Sequence, residues 1–452
     1  MSGALLRPSG EVLPRRRRGG WRIWALAVLV GVLVAGAVVL LRTLISYGQF
    51  IAFGAPRGRL ASHLPELQWW RVMLGPIVGG CIVAVLLRLG TSMGWGPRPR
   101  AYGLTDVVIA RRLRGTIRAS TLALRDSFYS ALISVVSIGW GASAGREDPS
   151  AHLGASLATL PGRLLGLDVA ARRALVAMGV AAAISASLHA PLAAIFLARE
   201  LILPRQRLAT LGPVALSSVT AWLVARDLLG DRPVIDIPDI GAVPSSFHLA
   251  LLLVAPILAL LAWWTRYLWT RAPEIAETGA ARFHIPLWLL PAIGGVLLGI
   301  LAIGFPQVIS IGYEPLSAGL GGGYSALLMP VLALAKIAAT SITFAFRFGG
   351  GPIAPALYVG AMMGSALGVV VGLVMGEAAT AQVYFGVIGM AIALAILLDA
   401  PITAGILALE LSASPEIGAA AMVCCFLAVQ LVRRFAPPPE ANPDPRDPLT
   451  WS

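Results

Sequence analysis

Arg146, Glu147 and Asp148 follow one another inside the stretch SAGREDPSAHLGA, Ser143 to Ala155, with an apolar run on either side. Three ionised side chains in such surroundings are costly, and in a lipid-dwelling chain they mark function. Pro149 suits the first turn of a helix, where its missing N–H would have had no partner. Glu147 is therefore expected at a helix N-terminus, where backbone N–H groups point outward and the dipole is positive. Such a terminus binds anions. A carboxylate there can occupy the anion site itself, and protonating it frees the site for an ion from solution.

Each candidate also has a plainer use. Glu147 could be an ordinary carboxylate at an exposed helix start, and Glu200, in Ala198-Arg199-Glu200, could cap a helix end, as could Glu410. His152 and His189 fit helix packing, and Lys336 and Arg347 fit snorkelling or pairing. Cys81, Cys424 and Cys425 lie in apolar runs without metal-ligand spacing, so neither a metal nor a disulfide framework is expected. The run Gly321-Gly322-Gly323 lacks the Lys-Ser/Thr of a phosphate cradle and reads as a turn.

The elements that must position these residues follow from composition. Of 452 residues, 57% are hydrophobic and 13% charged, with a mean hydropathy of +0.81. A soluble domain carries about a quarter charged residues. The chain reads as an all-α polytopic membrane protein, because its apolar runs are long and lack the ten-residue alternation of a barrel. The net charge of +13 comes from arginines in flanks and short loops, so it reads as a topological bias and not as a nucleic-acid surface. Residues 1–23 form a basic cytoplasmic segment, 24–435 the membrane domain and 436–452 a short Pro-rich tail. The first spans, from about Trp24 to Ile45 and Trp70 to Leu89, form a hairpin between the basic clusters at Arg15–Arg18 and Arg98–Arg118. Several later runs are too short to cross about 30 Å of hydrocarbon, so helices that end within the membrane are expected.

A repeat is visible within the chain. Residues 189–201, HAPLAAIFLAREL, and 399–411, DAPITAGILALEL, share seven of thirteen aligned positions. Upstream, Gly145 to Pro149 matches Gly351 to Pro355 at nearly the same offset (351 − 145 = 206 against 399 − 189 = 210). Two halves, about 70–230 and 284–433, share one architecture. Duplicated halves with broken helices place a substrate site near mid-membrane, with helix N-termini aimed at it if the substrate is an anion.

With these motifs in order, the chain resembles the CLC family of chloride channels and chloride/proton antiporters, from about residue 70 to 435. The resemblance rests on Gly145-Arg146-Glu147-Asp148-Pro149, on Ala186 to Ala194, on Gly350-Gly351-Pro352-Ile353-Ala354-Pro355 with its Leu334-Ala335-Lys336 approach, and on Ala400 to Glu410. It implies a CLC-type fold of two inverted-repeat halves with broken and half-spanning helices, in a homodimer with one anion pathway per subunit. It implies Glu147 as the gating glutamate and Glu200 as the inner proton station. Gly145, Arg146, Glu147, Asp148 and the amides of Ile353 and Ala354 are the implied anion-binding set. Three departures stand out. Tyr102 occupies the place of a serine that normally contacts the central anion, and no tyrosine follows Tyr384 to complete that contact. Asp148 replaces a glycine of the gating motif. Pro352 removes a backbone donor, and Ile353 replaces the usual phenylalanine.

The expected activity is transport of chloride or a similar monovalent anion across the cytoplasmic (inner) membrane in exchange for protons, without a cofactor. A passive anion channel is the alternative, as is selectivity for fluoride or nitrate. An intramembrane enzyme using Glu147, Asp148 and His152 as acid and base is disfavoured, because the second copy of the motif lacks the acidic groups.

Overall fold

The computed structural model describes residues 20–93, 104, 107, 108, 124–167, 169–203, 211–231 and 233–435. Tyr102, the loop arginines from Arg98 to Arg118 and both terminal segments lie outside these residues. The described chain is helical. The first half comprises α1 (Gly20–Phe53), α2 (Leu60–His63), α3 (Trp69–Ser92), α4 (Leu124–Gly139), α5 (Glu147–Leu164), α6 (Val169–Leu188), α7 (Pro191–Leu197) and α8 (Leu211–Leu229). The long α9 (Ser245–Arg282) leads to α10 (Leu290–Gly304), α11 (Tyr313–Leu320), α12 (Leu328–Ala345), α13 (Ile353–Met375), α14 (Ala378–Leu398), α15 (Pro401–Ser412) and α16 (Pro415–Phe435).

Nine of the described helices are long and apolar enough to cross a bilayer. At 38 residues α9 is about 57 Å long and must tilt to fit about 30 Å of hydrocarbon. Conversely α7, α11 and α15, with 7, 8 and 12 residues, are too short to span, as the interrupted apolar runs require. Leucine, valine and phenylalanine side chains of α1, α3, α9 and α16 are exposed, as lipid-facing surfaces must be. The small-residue helices lie inside, and α14 is buried along almost its whole length. It can pack so closely on α13 because a Cβ at Gly360 would collide with the backbone of Gly389, and one at Gly364 with that of Phe385.

The repeat holds at the level of backbone angles. His189 and Asp399 both take φ 56°, the left-handed turn that stops one helix before the next. The residues that follow, Ala190 (φ −123°, ψ 78°) and Ala400 (φ −130°, ψ 73°), start α7 and α15 alike. The N-caps Arg146 (φ −88°, ψ −10°) and Pro352 (φ −85°, ψ −7°) match as closely.

The two halves also meet through reciprocal contacts. Gly145 and Gly351 exchange both backbone hydrogen bonds, at 2.7 and 2.8 Å, in the one isolated bridge among the described residues. Glu200 accepts hydrogen bonds at the start of α15 from the Ile402 and Thr403 amides (3.1 and 2.8 Å) and the Thr403 hydroxyl (2.6 Å). Its repeat mate Glu410 accepts from the Leu192 and Ala193 amides at the start of α7, each at 2.7 Å. Where residue i of one half contacts j of the other and j's mate contacts i's mate, a two-fold relation holds between the halves. A two-fold relation of this kind agrees with the inverted halves that the family resemblance implies.

Candidate functional site

The site lies where the two matched motifs cross. The Gly145–Gly351 bridge holds the starts of α5 and α13 side by side, so the free amides of two helix N-termini converge. Glu147 is the first residue of α5, with Pro149 in the first turn as the sequence suggests, and is fully buried. Its carboxylate folds back over Gly145. The point where a Cβ on Gly145 would stand is in collision with Glu147 Oε2 and 3.0 Å from both the nitrogen and the Cβ of Ala354. The absence of a side chain at 145 thus leaves the room in which the carboxylate rests. At 351 a Cβ would collide with the Cβ and Cγ of Asp148, close to its backbone, so glycine is needed there.

Glu147 Oε1 accepts a 2.7 Å hydrogen bond from the Tyr313 hydroxyl and a long one, 3.4 Å, from Ser187 Oγ. Arg146 Nε stands 3.9 Å from the same oxygen, and its Nη2 donates to the Ser187 carbonyl at 3.3 Å. The guanidinium also lies over the Tyr313 ring, 5.7 Å from its centroid. Oε2, which lies over Gly145, has no hydrogen-bond partner. In this position the carboxylate fills the space between two helix N-termini. Displacing it would leave the space and its donors to another anion.

Tyr313 was not among the residues singled out from the sequence. It opens the eight-residue α11, immediately after Gly312 at φ +91°, and the turn that aims it is pinned from three directions. Buried Lys336 Nζ donates to the carbonyls of Val308, Ser310 and Ile311 at 2.9, 2.9 and 3.3 Å. Gln49 Nε2 donates to Ser310 Oγ at 2.8 Å, which donates in turn to the Ile138 carbonyl. Glu314 accepts from the amides of Ala61 and Ser62 at the start of α2. The usable sequence signal was a tyrosine opening a short helix after a glycine. Lys336 thus has a positional role in place of snorkelling, whereas Arg347 pairs with Glu277 at 3.6 Å.

Of the residues expected at the site, the structure brings together Gly145, Arg146, Glu147, Asp148, Ile353 and Ala354. Glu200 lies apart from them, at the contact of α7 with α15. Both of its oxygens are engaged in the cap described above.

Two helix N-termini that meet at broken helices, with a buried carboxylate between them, form an arrangement suited to an anion. The chain belongs to the voltage gated chloride channel family, CLC, whose pattern matches residues 79–433. Members of that family are transporters or channels, not enzymes. A ClcB-like protein of Ralstonia nicotianae is 29% identical over 412 residues, covering 89% of this chain and 91% of its own. Among solved structures, a slow cyanobacterial Cl⁻/H⁺ antiporter superposes with a TM-score of 0.79 at 18% identity, covering 92% of this chain and 95% of its own. A CLC-type fluoride/proton antiporter gives 0.71 at 19% identity, covering 92% and 96%.

Proposed function

We propose that the protein carries chloride or a similar monovalent anion across the cytoplasmic membrane, as a homodimer, with Glu147 as the gate and as the group that couples anion movement to protons. The observation that carries this reading is the buried Glu147 carboxylate lying over Gly145 toward the Ala354 amide, between two helix N-termini related by the repeat. Ionised, the carboxylate occupies the space and the positive potential at the two helix N-termini in place of the anion. Protonated, it no longer competes, and the anion enters. Gly145, Arg146, Asp148, Ile353 and Ala354 line that exchange, and Tyr102 is the candidate for the central contact.

Passive conduction is the second reading, and one observation favours it. Glu200, the residue offered as inner proton station, already accepts three hydrogen bonds from α15, and its mate Glu410 does the same for α7. Capping alone accounts for both glutamates. A proton passed through Glu200 has to displace those donors.

Flux from proteoliposomes, with chloride and external pH recorded together, separates the readings. Uphill proton movement driven by a chloride gradient, lost in Glu147→Gln, is the expected result. Loss of proton movement in Glu200→Gln with chloride flux retained makes Glu200 a proton station. Retention of both assigns it to capping alone. Chloride flux without proton movement in the unaltered protein makes it a channel.

A further inference from the structure

Two neighbouring residues open α11 and reach in different directions. Tyr313 donates to the Glu147 carboxylate at 2.7 Å. Glu314 turns to the segment between α1 and α3, where its Oε2 accepts from the Ala61 amide at 2.8 Å and its Oε1 from the Ser62 amide at 3.1 Å. Both oxygens are thus spent on the first turn of α2, a helix whose own N-cap residue, Arg59, supplies no side-chain cap. The group that holds the gating carboxylate and the group that holds α2 are adjacent on one backbone.

The α2 segment is a firm anchor. Leu60 and Leu64 are buried in one apolar cluster with Phe53, Val72 and Ile309, and Ile309 belongs to the turn ahead of α11. At 34 residues α1 is about 51 Å long, enough to cross the bilayer, so α2 stands on the face opposite residue 20. Glu314 is half-buried, and its bond to Ser62 lies at the exposed edge. A proton from the solution on that face reaches it without passing Glu147.

The charged and titratable groups around Glu314 are few. Arg59 precedes α2 and His63 ends it, with His63 Nδ1 set against Glu66 at 3.3 Å. Tyr324, just beyond α11, lies within electrostatic reach of the carboxylate. Lys336 is engaged with the three carbonyls of the preceding turn, and Arg146 lies over the Tyr313 ring. Among the described residues the hydrogen-bond partners of Glu314 are the two amides of α2. Bonds from amides to an ionised carboxylate are strengthened by its charge. Protonation turns one of the two acceptor oxygens into a donor, which then faces an amide that is itself a donor.

We propose that Glu314 is a positioning residue for the gate and a proton-sensitive one. Ionised, it ties α11 to α2 and keeps the Tyr313 phenol on Glu147. Protonated from the face that carries α2, it frees the start of α11, the phenol loosens, and the gating carboxylate is released. The proposal rests on the reading of Glu147 as the gate and adds to it a second proton site, outside the anion pathway.

Chloride efflux from liposomes, recorded against pH, tests it. Glu314→Gln should speed efflux at neutral pH by about threefold or more and flatten its rise toward acid. In a Tyr313→Phe background the same substitution should add nothing, because both act through one phenol. An unchanged rate and pH profile, or effects that multiply in full, overturns the proposal. If Glu314→Gln does not fold, Glu314→Asp serves in its place: faster neutral efflux that still rises with acid supports the proposal, and unaltered efflux overturns it. Hydrogen exchange in the purified full-length protein reads the tether without transport. Protection of the Ala61 and Ser62 amides, corrected for the intrinsic pH dependence of exchange, should fall in acid and be low throughout in Glu314→Gln; protection that ignores both overturns the tether. Acid-sensitive protection in a protein whose efflux ignores Glu147→Gln would leave the tether standing and sink the gate reading.

Discussion

One phenol and one missing side chain determine where the Glu147 carboxylate rests. Tyr313 donates to Oε1 at 2.7 Å, and Gly145 leaves the space the carboxylate occupies. A hydrogen bond to an ionised group contributes about 1.5–3 kcal/mol. Tyr313→Phe should therefore loosen the gate and speed chloride efflux at neutral pH severalfold, measured from loaded liposomes; unchanged efflux would show that the phenol does not hold the gate shut. Glu147→Gln replaces a titratable carboxylate with a neutral amide that the helix N-termini hold less strongly, so anion flux should lose its acid activation across pH 4 to 8. Gly145→Ala forces a Cβ into Glu147 Oε2 and toward Ala354. Loss of regulated flux is expected in that variant even where the protein folds, and a normal pH response would contradict the geometry.

At the scale of elements, the short helices matter most, because helices of 7 to 12 residues gain little stability from their own hydrogen bonds. The starts of α7 and α15 are capped across the repeat by Glu410 and Glu200 in place of local side chains. Removing a helix cap costs about 0.5–2 kcal/mol. Glu410→Ala and Glu200→Ala should each lower the melting temperature in detergent, and because both caps lie on one interface the double variant should depart from additivity. Additive losses would mean that the two caps act independently. Lys336 organises a different element, the turn of residues 308–311 ahead of α11. Lys336→Met leaves three buried carbonyls without their donor, and it should both destabilise the protein and reproduce the fast efflux of Tyr313→Phe, since the turn that aims the phenol is released.

Across the whole molecule, two halves of one architecture meet through their matched motifs, and the proposed anion site lies at that junction. The bridge between Gly145 and Gly351 is the covalently distant contact, 206 residues apart, on which that junction depends. Close packing of α13 on α14 holds the second motif in place, and Gly360 is in contact with backbone there. Gly360→Val should separate the two helices and abolish transport together with the monodisperse elution of the purified protein. A variant that transports normally would show that the α13–α14 contact is not needed for the site.

The sequence alone determined the helical membrane class and the repeat that relates two halves, because apolar length, broken runs and an internal repeat are local or near-local signals, whereas the bridge between the two motifs is a product of the fold. It also placed Glu147 at a helix start, since a proline in the first turn and flanking apolar runs suffice for that. The tertiary structure decided the rest. Tyr313 and Lys336 lie 166 and 189 residues beyond Glu147, and no local pattern connects a tyrosine on a short helix to a carboxylate in the other half. Glu200 shows the same divide: its type and position suggested proton transfer by resemblance, while the fold presents its carboxylate to the free amides of α15. Which donors reach a carboxylate depends on how helices from the two halves pack, and that packing is a property of the folded chain.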